Sequence, residues 1–359
     1  MGIAPASATQ EAHTQLLSLE TKHLFVIMVV ESPQWRPRSL LIPPTPFIGR
    51  EAELAEIAEL LANPNCRFLT ILGPGGMGKS RLALQTAVGH QTIFADGIAY
   101  ASLASLDSSE FIVQALAEAL NFTLASSPDP TSQLLNFLHQ KEILLVLDNF
   151  EQLLDSVWVL AEILAQVSEA KILITSRQWL GLQEEWVFAV HGLPLPDECD
   201  DKGAEEDSSV LLFLHNVRRS RHSFMLTEAN RAAIVRICHL VDGLPLGLEL
   251  AASWVHSLSC AEIANEIERE LDFLTVSTRN IAERQGSIRT VFDYSWQLLS
   301  PVEQQILKRL SLLDTSFSRE IVETVAGVSP VQLLSLVDKS LIHRTDKIDT
   351  ICLNCSGGL

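Results

Sequence analysis

No stretch of this 359-residue sequence is long and apolar enough to cross a bilayer as a helix. The run His23-Leu-Phe-Val-Ile-Met-Val-Val30 falls well short of the ~20 residues that a spanning helix needs. An acidic residue precedes it and no small-residue cleavage site follows, so it makes a poor secretory signal. A membrane partner is not expected. Basic charge is also scarce, with 26 Lys and Arg against 44 Asp and Glu and a net charge of −18. Phosphate contacts need a basic face, so nucleic acid is disfavoured as a partner of this chain. Cysteine is sparse and scattered, at positions 66, 199, 238, 260, 352 and 355. Only Cys352 and Cys355 form a C-x-x-C, and no second pair exists to complete a zinc site, so chance spacing is the better reading. Thiols in this pattern fit a reducing, cytoplasmic compartment. No internal repeat of solenoid length is present.

What remains is material for folded domains. Hydrophobic residues make up 47% and charged residues 19%, which excludes a disordered chain, and the length suits two or three domains. Residues 1–44 read as a leader and linker, with Pro33, Pro37, Pro43 and Pro44 at the end. A helix follows Arg50, with Leu54, Ile57, Leu60 and Leu61 on one stripe and Glu51, Glu53, Glu56 and Glu59 off it. Strands are predicted over Arg67–Leu72, Gly97–Leu103, Ile143–Leu147, Lys171–Thr175 and Trp186–Val190. They alternate with helices over Lys79–Val88, Ser109–Leu120, Thr131–Gln140 and Glu151–Val167. That alternation predicts an α/β fold, a mostly parallel sheet flanked by helices, across residues 45–195. The unbroken apolar run Ile143–Leu147 suits a central strand buried on both faces. The acidic segment Asp197–Asp207 reads as a solvated junction, residues 196–207. Beyond it the patterns are all helical, from Ser208–Arg219 through Arg319–Ala326 to Pro330–Lys339, and divide near Thr275–Gln285.

The chemistry sits in a few motifs. Gly73-Pro-Gly-Gly-Met-Gly-Lys-Ser80 is a P-loop between a predicted strand and a predicted helix. Glycines let backbone amides turn inward around phosphate, and the helix start adds its positive dipole end. Lys79 would reach the β- and γ-phosphates, and the Ser80 hydroxyl would ligate Mg²⁺. Leu144-Leu-Val-Leu-Asp148 has the Walker B form, an apolar strand ending in an acid that would hold Mg²⁺ through its water shell. Asn149 follows, where many P-loop ATPases place an acidic base. It can orient water but cannot take its proton, which predicts slow hydrolysis. Arg177 ends a strand and would emerge at the same carboxyl edge of the sheet, placed to sense a γ-phosphate. Alone, Arg177 also suits a surface residue capping a helix, and Asp242-Gly-Leu-Pro-Leu-Gly247 reads as helix punctuation.

Together the motifs resemble one family. Phe47-Ile-Gly-Arg-Glu51, Gly73–Ser80, Leu144–Asn149, Thr175-Ser-Arg177, Gly243-Leu-Pro-Leu246 and Leu336–Ile342 fall in the order seen in NB-ARC ATPases of the STAND class. The resemblance implies a P-loop domain, an all-α ARC subdomain over 208–280 and a winged-helix domain over 281–359. It implies ATP or ADP with Mg²⁺ as ligands. Phe47, Ile48 and Arg50 would lie by the adenine, and Pro245 would pack on the adenine or ribose side. Gly73, Gly75, Gly76, Met77, Gly78, Lys79, Ser80 and Arg81 would form the cradle. Lys79, Asp148, Asn149 and Arg177 would act on the phosphates, with Ser80 and Asp148 on the metal. The implied function is a switch that ADP holds as a closed monomer and ATP opens toward protein partners and a homo-oligomer. The family's late histidine motif has no counterpart after Leu341-Ile-His343, so a truncated winged helix is expected. An AAA+ type motor, a module of a DNA-linked transcription regulator and a degenerate remnant stay open as alternatives.

Overall fold

The computed structural model describes residues 37, 40, 43–106, 108–127, 129–196, 206–275, 287–312, 316–318, 321–322, 327–344 and 350–353. The leader up to residue 36, the acidic stretch 197–205, the division at 276–286 and most of the helix expected over Arg319–Ala326 lie outside them.

Five strands form one parallel sheet: β1 (Phe68–Leu72), β2 (Ile98–Ser102), β3 (Leu144–Asp148), β4 (Lys171–Ser176) and β5 (Glu185–Ala189). Their spatial order is β2-β3-β4-β1-β5. The strand order places β4 between β1 and β3, with Leu72 paired to Ser176. The residue after β4, Arg177, is thereby set between the glycine loop that follows β1 and the acid that ends β3. Leu144, Leu145, Val146 and Leu147 are fully buried, as the unbroken apolar run predicts. Each such side chain contributes about 1.5–3 kcal/mol of burial.

Helices α1 (Glu51–Ala62), α2 (Lys79–Gly89), α3 (Ile112–Ala119), α4 (Pro130–Leu138) and α5 (Val157–Gln166) accompany the sheet. The helix expected from Glu151 begins six residues later, after two 3₁₀ turns over Phe150–Gln152 and Leu154–Ser156. The cause is tertiary. Phe150 and Glu151 are both buried, so the chain turns tightly to send these side chains inward before α5 can start.

A second core gathers α6 (Ser208–Ser220), α7 (Glu228–Leu240), α8 (Pro245–Ser253) and α9 (Cys260–Arg269) around Phe213, Ile237, Leu248 and Ile263. A third joins α11 (Pro301–Leu310) and α12 (Pro330–Asp338), with Phe292 and Trp296 of α10 (Ile288–Gln297) packed against it. The α11 and α12 starts share one device, a serine cap followed by proline: Ser300 accepts from Glu303 N, and Ser329 from Gln332 N. Glu303 then joins the two helices, accepting from Lys339 Nζ at 2.7 Å and from the Ser335 hydroxyl. Burial alone would raise this carboxyl, but hydrogen bonds from Lys339, Ser335 and Ser300 outweigh it and hold the group at about 2.

The expectation of helices alone beyond residue 207 is corrected. Three short strands, β6 (Ser316–Ser318), β7 (Ile342–Arg344) and β8 (Thr350–Leu353), make an antiparallel sheet in the order β6-β8-β7. Strands of three and four residues are too short to show a period-two pattern.

Candidate functional site

The glycine loop leaves β1 at Gly73, whose amide donates to Ser176 O at 3.3 Å across the sheet edge. Gly76 and Gly78 sit at φ 81° and 82°, left-handed values that favour glycine. Lys79 opens α2 and folds its ammonium back onto the loop, donating to Gly73 O at 2.7 Å and Pro74 O at 2.9 Å. It is 7% exposed. Burial brings its pKa down to about 8, against the pull of Glu151 and Asp148 and with the push of Arg177. The first amides of α2 have no partner within the helix and face the loop with the positive dipole end. Ser80 is half-buried in that same first turn. Such an arrangement could hold a phosphate.

Asp148 is buried at the end of β3. Its Oδ1 accepts from Thr175 Oγ1 at 2.5 Å and its Oδ2 from the Tyr100 hydroxyl at 3.0 Å. Burial and then the neighbouring Asp148 charge push the Tyr100 phenol far up, so it stays a donor. Thr175 also accepts from Asn149 N at 2.9 Å, so one hydroxyl fixes both residues. Asn149 holds a left-handed φ of 64°. One oriented carboxylate and one hydroxyl, Asp148 and Ser80, fit Mg²⁺, which keeps most of its shell in water and phosphate.

Arg177 lies across the loop. A Cβ added at Gly75 would fall 2.8 Å from its guanidinium carbon and 2.4 Å from Val291 Cγ1 of α10. Its Nε pairs with Glu151 Oε1 at 3.2 Å. Its Nη1 donates to Val291 O at 3.0 Å and Ser295 Oγ at 2.8 Å, and the group sits 4.5 Å from the Tyr294 ring centre. The arginine therefore joins the sheet edge to α10. Glu151 had no place among the predicted site residues. In the sequence it stands only as the first residue of the helix expected over Glu151–Val167.

The segment Gly243-Leu-Pro-Leu246 punctuates two helices and also docks on the loop. Leu246 N donates to Gly76 O at 3.3 Å, and a Cβ at Gly76 would meet Leu246 Cβ at 3.1 Å. Pro245 Cγ lies 3.9 Å from where a Cβ on Gly78 would stand. The segment is held from behind by Leu193, whose amide donates to Gly243 O at 2.9 Å. Gly243 has φ +62°, and a Cβ there would fall 2.2 Å from Leu193 O. Gly192, absent from the predicted site, has the same restriction, with a Cβ 2.1 Å from Asp242 O. Two backbones meet here closer than any side chain permits.

Other predicted nucleotide contacts also make bonds within the protein. Arg50 is buried and donates to Met77 O at 2.9 Å and His191 O at 2.8 Å, bracing the loop. Burial lowers its pKa, partly offset by Glu53. Arg81 clamps the segment before α1, reaching Thr45 Oγ1 at 2.6 Å, Thr45 O at 2.7 Å and Pro46 O at 2.9 Å. Phe47 lines a cleft of about 20 Å³ with Pro43, Thr45, Arg81 and Leu84, and Ile48 is half-buried.

Known proteins bear on this arrangement. Residues 50–180 match the NB-ARC domain family. A provisionally named HTH-type transcriptional regulator of Mycobacterium tuberculosis is 33% identical over 288 residues. The match covers 78% of this chain and 31% of that protein, so the chain spans about a third of that relative's length. An uncharacterised protein of the same organism is 29% identical over 284 residues, 79% of this chain and 69% of its own length. Among solved structures, a STAND protein with a tetratricopeptide repeat sensor from Pyrococcus horikoshii matches at 17% identity and TM-score 0.35, covering 89% of this chain and 42% of that one.

Proposed function

Because residues 50–180 match the NB-ARC domain family, we propose that the chain is an ATP- and ADP-binding signal-transduction switch of the STAND class with slow, Mg²⁺-dependent hydrolysis. One observation carries the reading: elements from three parts of the chain converge on the P-loop. Arg177 and Val291 of α10 cover Gly75, Leu244 and Leu246 flank Gly76, and Pro245 faces Gly78. Phosphates bound in the loop would be shared among these elements, and a ligand that contacts two arrangements differently shifts the balance between them.

In this reading residues 45–195 bind nucleotide, 196–207 are the junction, 208–280 are the ARC subdomain and 281–359 the winged-helix domain. The core around Leu307 falls within 281–359, and the core around Phe213 draws mainly on 208–280, with Leu193 and Val291 joining it from the flanks. Lys79 and the loop amides hold the β- and γ-phosphates, and Ser80 and Asp148 the metal. Mg²⁺ supplies charge neutralisation on the phosphates when bound. Asn149 orients water, and Arg177 tells ATP from ADP. ADP favours the closed arrangement, and ATP favours an open one that meets protein partners and further copies of the chain.

The sensor assignment is tested by Arg177→Ala. ATP affinity falls about tenfold or more, equivalent to ~1.4 kcal/mol, while ADP affinity stays within about twofold, read by titration calorimetry. Equal losses for both nucleotides remove the sensor role. The name of the mycobacterial relative supports a second reading, a nucleotide-controlled module of a transcription regulator. With a net charge of −18, direct contact of this chain with DNA phosphates is disfavoured. Salt-dependent binding to duplex DNA would favour that contact.

A further inference from the structure

Glu151 is 5% exposed, three residues past Asp148 at the carboxyl edge of the sheet. Its Oε1 faces Arg177, while Oε2 is shut from solvent without a hydrogen-bond partner. A buried carboxylate oxygen left unsatisfied is costly. The carboxylate lies beside the glycine loop, since the guanidinium it pairs with stands 2.8 Å from where a Cβ on Gly75 would fall. Asn149, next to Asp148, has no oxygen that can accept and keep a proton. Helix α10 restrains the pair from both sides. It holds Arg177 through Val291 and Ser295, and Tyr294 Oη accepts from Gln152 Nε2 at 2.5 Å, one residue from Glu151.

We propose that Glu151 is the proton acceptor for ATP hydrolysis, held idle by Arg177 until a γ-phosphate draws the guanidinium away. The proposal rests on the nucleotide-switch reading. Water oxygen bonds to the γ-phosphorus as the bond from that phosphorus to the β–γ bridging oxygen breaks. The bonding pair leaves on ADP, one water proton passes to Glu151 Oε2, and inorganic phosphate is released. The same arginine that reads ATP thereby uncovers the base, and α10 sets how readily it does so.

The experiment uses the full chain with ATP and Mg²⁺, following turnover together with separate ATP and ADP affinities. Glu151→Gln keeps an oxygen facing Arg177 but cannot take a proton. It lowers kcat by about 50-fold or more, while both nucleotide affinities stay within about threefold. Glu151→Asp restores part of the rate. Ser295→Ala, which loosens the hold on Arg177, raises kcat several-fold, and adding Glu151→Gln cancels that gain. Wild-type turnover by Glu151→Gln with ATP bound overturns the proposal and leaves the switch intact. So does an absence of turnover in both the wild type and Ser295→Ala at saturating ATP. Failure of the unsubstituted protein to bind ATP or ADP overturns the switch reading and this proposal with it.

Discussion

Lys79→Ala lowers affinity for ATP and ADP alike by about 100-fold or more, ~2.7 kcal/mol or above, in titration calorimetry on the folded protein. The ammonium is folded directly into the glycine loop, bonded to Gly73 O and Pro74 O. A phosphate would gain a charge-assisted partner in a lysine that is already largely buried. Both nucleotides carry the β-phosphate, so both lose it. Unchanged affinities would refute the P-loop assignment. The pKa of about 8 adds a pH signature. Phosphate favours the charged ammonium, so above about pH 8 binding takes up a proton, visible as a buffer-dependent enthalpy, and affinity falls as pH rises. Stability of the free protein has the opposite slope. The penalty for burying the ammonium is fully present below about pH 8. It is relieved between there and the unfolded value near 10.5, because only the unfolded chain still binds the proton in that window.

Gly243→Ala destabilises the protein by about 2–4 kcal/mol in denaturant unfolding and weakens ADP binding. The residue is left-handed, and its new methyl would fall 2.2 Å from Leu193 O and 2.9 Å from Leu193 N. Those are backbone atoms paired through the Leu193 N to Gly243 O bond, so no side chain can swing aside. The seam must part, and Leu244–Leu246 lose their seat on Gly76. Gly89→Ala is the control, since a Cβ there meets nothing within 4 Å. It is neutral or slightly stabilising. Equal behaviour of the two variants would mean that the close approach at Gly243 carries no energy.

These two residues also mark what sequence could and could not show. The loop around Lys79 is local: strand, glycines, lysine and helix follow one another, and each imposes its own pattern. The same is true of Leu144–Asp148, where a short unbroken apolar run between turn signals suits a buried strand, and of the serine-proline starts of α11 and α12. Strand ends shift by only a residue or so. Gly243 is different. Its punctuation of the helices is legible, but its contact with Gly192 joins residues about fifty positions apart and leaves no periodic trace. Arg177 reaches the expected sheet edge, yet its partners Val291 and Ser295 lie on a helix more than a hundred residues away. Glu151 was hidden by its surroundings, because an acid among leucines reads as the polar side of a helix until the 3₁₀ turn sends it inward. The backbone carbonyls that Arg50 and Arg81 hold are distant in sequence and left no pattern to read. The short strands of the C-terminal sheet had too few residues to announce themselves.

The central claim is that the identity of the nucleotide at the P-loop governs how α10 and the Gly243–Leu246 segment sit on it. Hydrogen exchange of the full chain, saturated in turn with ADP and with a non-hydrolysable ATP analogue plus Mg²⁺, reads this directly. Both ligands should slow exchange in Lys79–Gly89. ADP should also protect Ile288–Gln297, while the ATP analogue, by drawing Arg177 from Glu151 and loosening its hold on Val291 and Ser295, should speed exchange there. Identical exchange of Ile288–Gln297 with both nucleotides bound would contradict the account.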